Sequence, residues 1–484
     1  MVQRFMRLML VLVVLGLWAD PTVADEVKKR PNILFIMADD LGWNDVGYHD
    51  SIIKTKNIDA LAKSGVRLEQ FYVMPVCSPT RASLITGRYT IRYGLQTGVV
   101  RPWARYGLPL NERTLAAVLR DAGYFTAISG KWHLGSISKE YLPLQRGFDY
   151  QYGHYLGALD YWTHKREEGL DWHRMGKALR EEGYTTNLIG NEATTIIKKH
   201  NFQKNPLFLY VPFNSPHTPL QAPEKYIAQY QDVKNKKRRI YAAMVTCMDD
   251  NIGRIVEVLK DRGEYENTLI IFCSDNGGPI TLGASNTPLR GSKGTLYAGG
   301  VRVVAFAVWP GKLKAGSVNN EPLHMVDWYP TLIKLGQGKL KQKLSLDGSD
   351  IWPTIAEGKK SPRKEILFNA EAKRGALYYD GWKVVVTRRD LPIDLSGNLK
   401  FGGKKKSGKI ELFHLDEDPT ESTNLASKKP KKTIELLKRL NKYAKEAVPA
   451  KGRNGKRPKN FRAPEVWGET PFRTRTPKLK RMSD

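Results

Sequence analysis

Four short apolar runs set the limits on how this chain folds. They are NILFIMA at 32–38, YFTAIS at 124–129, LFLYV at 207–211 and TLIIFC at 268–273. Their hydrophobicity is continuous rather than alternating, which predicts strands covered on both faces, as in a parallel sheet. Each run ends in polar residues. Asp39-Asp40 follows the first, Gly130-Lys131-Trp132-His133 the second, Asn214-Ser215-Pro216-His217 the third and Ser274-Asp275-Asn276-Gly277-Gly278 the fourth. Amphipathic helices lie between them. Leu115, Val118 and Leu119 share a face before Gly123, and Met244, Met248, Ile252, Ile255 and Leu259 form one stripe within 241–260. Strands alternating with helices predict a doubly wound α/β domain, in which ligands bind beyond the carboxyl ends of the strands. All four polar clusters fall there, so the pattern predicts a single site.

The chemistry of those clusters is that of hard ligands and cations. Asp39, Asp40, Asp275 and Asn276 offer oxygen donors that suit Ca²⁺ or Mg²⁺ rather than zinc. The segment CSPTRASLITG at 77–87 adds a nucleophile. Pro79 favours a first helical turn, and Gly87 is a natural helix stop. Cys77 would then sit at a helix entrance, where free N–H groups favour negative charge, with Arg81 one turn further on. That arrangement suits an anionic substrate.

The 484 residues support two or three domains. Residues 1–24 read as a signal peptide. Arg4 and Arg7 precede an apolar run at 8–18, which is too short to span a bilayer, and Ala24 supplies a small residue. The expected location is secreted or periplasmic. Residues 25–356 form the catalytic domain. A linker at 357–362 opens a C-terminal subdomain at 357–448 with an antiparallel sheet. There the runs 376–379 and 382–386 flank Asp380-Gly381, a hairpin signal, and a strand follows at 410–415. Ile434, Leu437, Leu440 and Tyr443 then mark a helix. Residues 449–484 form a basic tail, Pro-containing and irregular.

Of the three cysteines, Cys247 and Cys273 are expected to be buried thiols rather than a disulfide. With no glycosylation sequon in the chain, a bacterial setting is expected. The formal charge of +29 points to attraction toward a polyanion. Much of the excess lies late, at Lys404-Lys405-Lys406, Lys409, Lys428, Lys429, Lys431, Lys432 and 451–481. No aromatic-interleaved RNA motif or zinc finger accompanies it, which argues against nucleic acid.

The run Cys77-x-Pro79-x-Arg81 followed by Thr86-Gly87 resembles the signature of the type I sulfatases. Residues 31–47, the block at 130–135, Ser215-Pro216-His217-Thr218-Pro219, and Leu289-Arg290-Gly291-Ser292-Lys293 with Gly299-Gly300-Val301-Arg302 resemble further segments of that family. The likeness extends over 30–425. It is greatest to the arylsulfatase B, or N-acetylgalactosamine-4-sulfatase, branch, through Arg146-Gly147-Phe148-Asp149 and the region 155–164. Most cysteines of the animal enzymes are absent, which argues against a lysosomal setting.

The resemblance implies an alkaline-phosphatase-like fold with a large, mostly parallel sheet and a smaller C-terminal α+β domain. It implies that a maturation enzyme converts Cys77 to formylglycine, whose hydrate attacks the sulfur of a sulfate ester. Asp39, Asp40, Asp275 and Asn276 would hold one Ca²⁺, with modified Cys77 as a further ligand, and Asp275 would assist deprotonation of the attacking hydroxyl. Arg81, Lys131 and Lys293 would hold sulfate oxygens. His217 would protonate the departing alcohol, with Lys293 as a second candidate, and His133 would take a proton from the remaining hydroxyl to release sulfate. The implied substrate is a sulfated sugar or polysaccharide. A phosphodiester or phosphonate hydrolase of the same superfamily is an alternative, as is a non-catalytic polyanion-binding relative. Trp162, His164 and Trp172 are candidates for a sugar subsite or for surface packing. His49, His154, His164 and His173 have weaker claims.

Overall fold

The computed structural model describes residues 30–371, 374–387, 409–452 and 455–469. The expected signal peptide at 1–24, Lys404-Lys405-Lys406 and the last fifteen positions, 470–484, lie outside the described residues. Among the described residues no helix is long and apolar enough to cross a membrane.

A ten-stranded sheet organises the fold, and its centre is parallel. Strand Asn32–Ala38 lies between Leu207–Pro212 and Thr268–Ser274, with Phe125–Lys131 and then Tyr150–His154 beyond Leu207–Pro212. These are the four apolar runs of the sequence plus one more strand. Along the central strand, Leu34, Ile36 and Ala38 join one apolar layer and Ile33, Phe35 and Met37 the other. Helices Lys56–Ser64, Thr185–Lys199 and Lys236–Asp261 cover the first face. Helices Cys77–Thr86, Leu115–Asp121 and Trp328–Leu335 cover the second. Burial on both faces explains the continuous hydrophobicity, each such side chain contributing roughly 1.5–3 kcal/mol. The edges are less regular. Ala305–Val308 runs antiparallel to Thr268–Ser274 and to Val66–Leu68, and a hairpin of His173–Arg174 with Lys177–Ala178 closes the far side.

The C-terminal sheet comprises Glu365–Glu371, Arg374–Tyr379, Trp382–Thr387 and Lys409–His414, all antiparallel. Asp380 and Gly381 both take positive φ, 49° and 78°, which is what a tight two-residue hairpin turn requires. Helix Pro430–Glu446 lays Leu436, Leu437 and Leu440 on one face of this sheet. Its other face, with Ile366, Phe368 and Phe413, packs on Leu296 and Val301. Arg290 fixes the same junction, stacked 4.0 Å over Tyr297 and bonded to Glu411 at 3.2 Å. The small sheet therefore braces the loop that carries Lys293. The described part of the tail is irregular but docked, with Trp467 fully buried.

Candidate active site

The strand ends meet as the pattern requires. Asn32–Ala38 and Thr268–Ser274 run in register from Asn32 opposite Thr268 to Ala38 opposite Ser274, so the residues that follow emerge side by side. The Asp40 amide donates to Asp275 Oδ1 at 3.2 Å, and Asn276 Nδ2 donates to Asp40 Oδ1 at 2.7 Å. Asp40 takes a φ of 74°, uncommon for a residue with a side chain. Ser274 Oγ accepts from the Leu41 amide at 3.0 Å, and Tyr241 donates to the Asp40 carbonyl at 2.9 Å, so the bent loop is held from two sides. All four oxygen-bearing residues, Asp39, Asp40, Asp275 and Asn276, are buried.

Cys77 opens its helix from an extended Val76, and the helix stops at Gly87 in the left-handed region, as expected from Pro79 and Gly87. The thiol is buried. Burial pushes its pKa up, but Lys131 and Lys293 outweigh that and bring it down to about 7. Arg81 is fully buried and turned toward the carboxylates. Its Nε and one terminal nitrogen lie 3.1 and 2.7 Å from Asp275 Oδ2, and its other terminal nitrogen donates to the Lys131 carbonyl at 3.3 Å. Lys131 Nζ pairs with Asp39, and Lys293 Nζ lies 2.6 Å from Asp40 Oδ1. Burial disfavours the charge on Lys293, but Asp40 and the Cys77 thiolate more than restore it and raise its pKa.

The two histidines differ in protonation. His217 Nδ1 faces the Thr218 carbonyl at 2.8 Å, which can only accept, so Nδ1 carries a proton. Its Nε2 lies 3.7 Å from Asp40 Oδ2. Burial and Lys293 lower its pKa, but Asp40 and Asp39 together raise it above the ordinary value. His133 Nε2 likewise donates to the Val100 carbonyl at 3.1 Å, while Nδ1 has no partner among the described residues. Burial, reinforced by Lys131 and Arg81, holds its pKa well below the ordinary value, so the ring is neutral with an open acceptor. His133 also takes a positive φ, 59°. Gly157 packs against it so closely that a Cβ there would lie 2.4 Å from Nε2. Asp171 in turn accepts the Tyr155 and Leu156 amides at 2.9 and 2.8 Å, fixing that loop.

The donor set fits a hard cation. Asp39 Oδ1 and Asn276 Oδ1 are buried and have no hydrogen-bond partner among the described residues, an arrangement that is costly unless a cation completes it. Ligand atoms of Asp39, Asp40, Cys77 and His217 lie within 4.8 Å of one another. His217 thus joins a cluster in which only its proton chemistry was expected.

The sequence left Gly157, Asp171, Ser274 and Tyr241 unmarked, because their roles depend on contacts across the fold. The aromatic subsite needs correction. Trp172 is fully buried and stacked 4.8 Å from a buried His164, so neither lines a sugar subsite or a surface. Trp162 alone of the three is exposed.

A family model described as Sulfatase matches residues 31–338, and arylsulfatase J of Mus musculus is 40% identical over 470 residues, 89% of this chain and 78% of the relative. The chain belongs to the sulfatase family. As a member it is a sulfuric ester hydrolase, in keeping with Arg81, Lys131 and Lys293 gathered around Cys77. N-acetylgalactosamine-6-sulfatase of Mus musculus is 32% identical over 452 residues, covering 86% of this chain and 85% of the relative. The solved structure of Ps i-CgsB in complex with k-i-k-neocarrahexaose superposes with a TM-score of 0.77 at 31% identity, covering 87% of this chain and 94% of that one.

Proposed function

We propose that this sulfatase uses a formylglycine made from Cys77 by a maturation enzyme and a single Ca²⁺ to remove sulfate from a sulfated glycan. The observation that carries the reading is Cys77 at a helix entrance beside two lysines and two buried oxygens that have no partner among the described residues. Asp39, Asp40, Asp275 and Asn276 would hold the calcium, together with residue 77, and the ion would supply positive charge that offsets the negative charge of the sulfate. The aldehyde hydrate would supply a hydroxyl nucleophile and a second hydroxyl through which the group is regenerated.

The remaining steps belong to the chain's own side chains. Lys131 and Lys293 bring two charges to the sulfate oxygens, where charge redistributes during transfer. Arg81 would add a third charge beside them, and through two nitrogens it also sets the direction of the Asp275 carboxylate. His217, with Nδ1 occupied by Thr218, presents Nε2 to the departing alcohol and protonates it. His133, with Nε2 occupied by Val100, keeps Nδ1 free to accept the proton whose removal releases sulfate.

The glycan substrate is supported by the charge of +29, by the neocarrahexaose bound to one relative, and by the N-acetylgalactosamine sulfatase among the others. The sugar we assign is galacto-configured, as in the arylsulfatase B-like branch that the sequence resembles. The leader-like segment 1–24 supports a secreted or periplasmic enzyme, and the three free buried thiols support the bacterial setting. The test is turnover of aryl sulfate, aryl phosphate and 4- and 6-sulfated galactosamine by protein coexpressed with a maturation enzyme. Sulfate turnover well above phosphate supports the reading; the reverse order replaces it with a phosphohydrolase.

A further inference from the structure

The catalytic centre leaves the tail unused, yet the tail is built into the fold. Trp467 is fully buried, its Nε1 donates to the Arg166 carbonyl at 2.9 Å, and its amide donates to Leu170 at 2.9 Å. The Leu170 amide returns a bond to Glu465 at 2.9 Å, so the tail adds a short stretch of backbone pairing to the hairpin of Lys165–Arg166 and Gly169–Leu170. A Cβ on Gly169 would lie 2.4 Å from the Pro464 carbonyl, so this approach needs glycine. Phe461 sits between Trp467 and Trp103, and Arg457 pairs with Glu167 at 3.0 Å. Upstream, the Lys451 amide donates to Gly94 at 2.9 Å, at the start of the loop whose Val100 holds His133.

These contacts place the strap beside the active site. A groove of about 430 Å³ is lined by Asp160, Lys165, Arg166 and Glu167 and, next to His217, by Thr218 and Pro219; its two carboxylates are already engaged, Asp160 by the Gln221 side-chain amide at 2.7 Å and Glu167 by Arg457. The strap anchors this lining at Arg166 and Glu167. Lys456, Lys459 and Arg462 are exposed along it, and none forms an ion pair among the described residues. Arg101, also exposed, lies beside Gly455. A solubility tail would need neither a buried tryptophan nor a glycine-dependent approach.

We propose that the strap 455–469 forms a cationic rim that binds the continuing anionic chain of a sulfated polysaccharide and feeds it along the 165–167 groove to His217. This deepens the glycan reading above and rests on it. A chain of repeated charges meets several cations at once, whereas a small monosulfate meets only the centre.

The test measures binding of a carrageenan-type sulfated hexasaccharide to full-length Cys77→Ala protein, which cannot turn it over, with and without Lys456→Ser, Lys459→Ser and Arg462→Ser together. The three exposed sites leave the fold intact. The expected result is at least about tenfold weaker binding at roughly 0.1 M salt, with a shallower dependence on salt. Equal affinity of the two proteins overturns the rim, as does absence of binding by the parent. Matured protein with the same three substitutions should hydrolyse aryl sulfate at the unsubstituted rate. Loss of every sulfatase activity in the unsubstituted matured protein would sink the glycan reading itself; aryl-sulfate turnover with tail-independent glycan binding would sink only the rim.

Discussion

Two buried arginine–aspartate pairs in this molecule look alike on paper and behave differently. Arg363 is spent on Asp327, Tyr89 and the Asp347 carbonyl, while Asp327 also accepts the His324 and Ser349 amides at 2.8 and 2.9 Å. Every polar atom of that pair has a partner. Arg81 holds Asp275 just as firmly, but the surrounding cluster leaves Asp39 Oδ1, Asn276 Oδ1 and His133 Nδ1 without one among the described residues. Burial and charge alone therefore do not mark a working site. Nor does an unpaired atom by itself, since His324 Nε2 beside the Asp327 pair is also without a partner among the described residues; what sets the Asp275 cluster apart is that its unpaired oxygens gather around a nucleophile and two lysines.

The comparison breaks most visibly at Asp275. Asp275→Ala should lower kcat of the folded fraction by at least about a thousandfold, equivalent to roughly 4 kcal/mol in the barrier, and lose bound calcium, with Asp39 at 3.6 Å left to balance part of the Arg81 charge. Unchanged calcium content would remove Asp275 from the ligand set. Arg363→Met should do the opposite. It strands the Asp327 carboxylate and should cost about 3–5 kcal/mol in unfolding free energy, with kcat of the folded fraction unchanged. A stable Arg363→Met protein with lost activity would erase the distinction between the pairs.

Gly157→Ala probes the support behind the site. The added methyl would displace the His133 ring, and a shift of about 1 Å should cost roughly 10- to 100-fold in kcat with KM almost unchanged. Parent kcat would show that His133 tolerates displacement. The smallest effect concerns the thiols of unmatured protein. Cys77, brought down to about 7, should react with iodoacetamide at a rate that rises through neutral pH, whereas Cys247, pushed up to about 12 by burial, stays inert until unfolding. Equal labelling of both would contradict the electrostatics assigned to Lys131 and Lys293.

Much of this was legible in the chain. The continuous runs marked the central strands, and their polar ends marked Asp39, Asp40, Lys131, His133, His217, Asp275 and Asn276. Asp380-Gly381 marked the hairpin. Periodicity reports how a segment is buried, not what it meets across the fold. Strands such as Val66–Leu68 are too short to show a period. The Arg81–Asp275 contact spans 194 positions, and the clasp of Trp467 on Arg166 spans 301. The same limit explains Trp172 and His164, candidates for a sugar subsite or for surface packing that instead stack in the core.

The central claim is that residue 77 carries the chemistry, and the most direct measurement pairs mass spectrometry of the Cys77 peptide with aryl sulfate turnover on the same preparations. The account predicts that activity rises in proportion to the fraction of Cys77 converted to formylglycine and vanishes in Cys77→Ala, whose fold is intact. Full turnover by unconverted protein, or by Cys77→Ala, would contradict it.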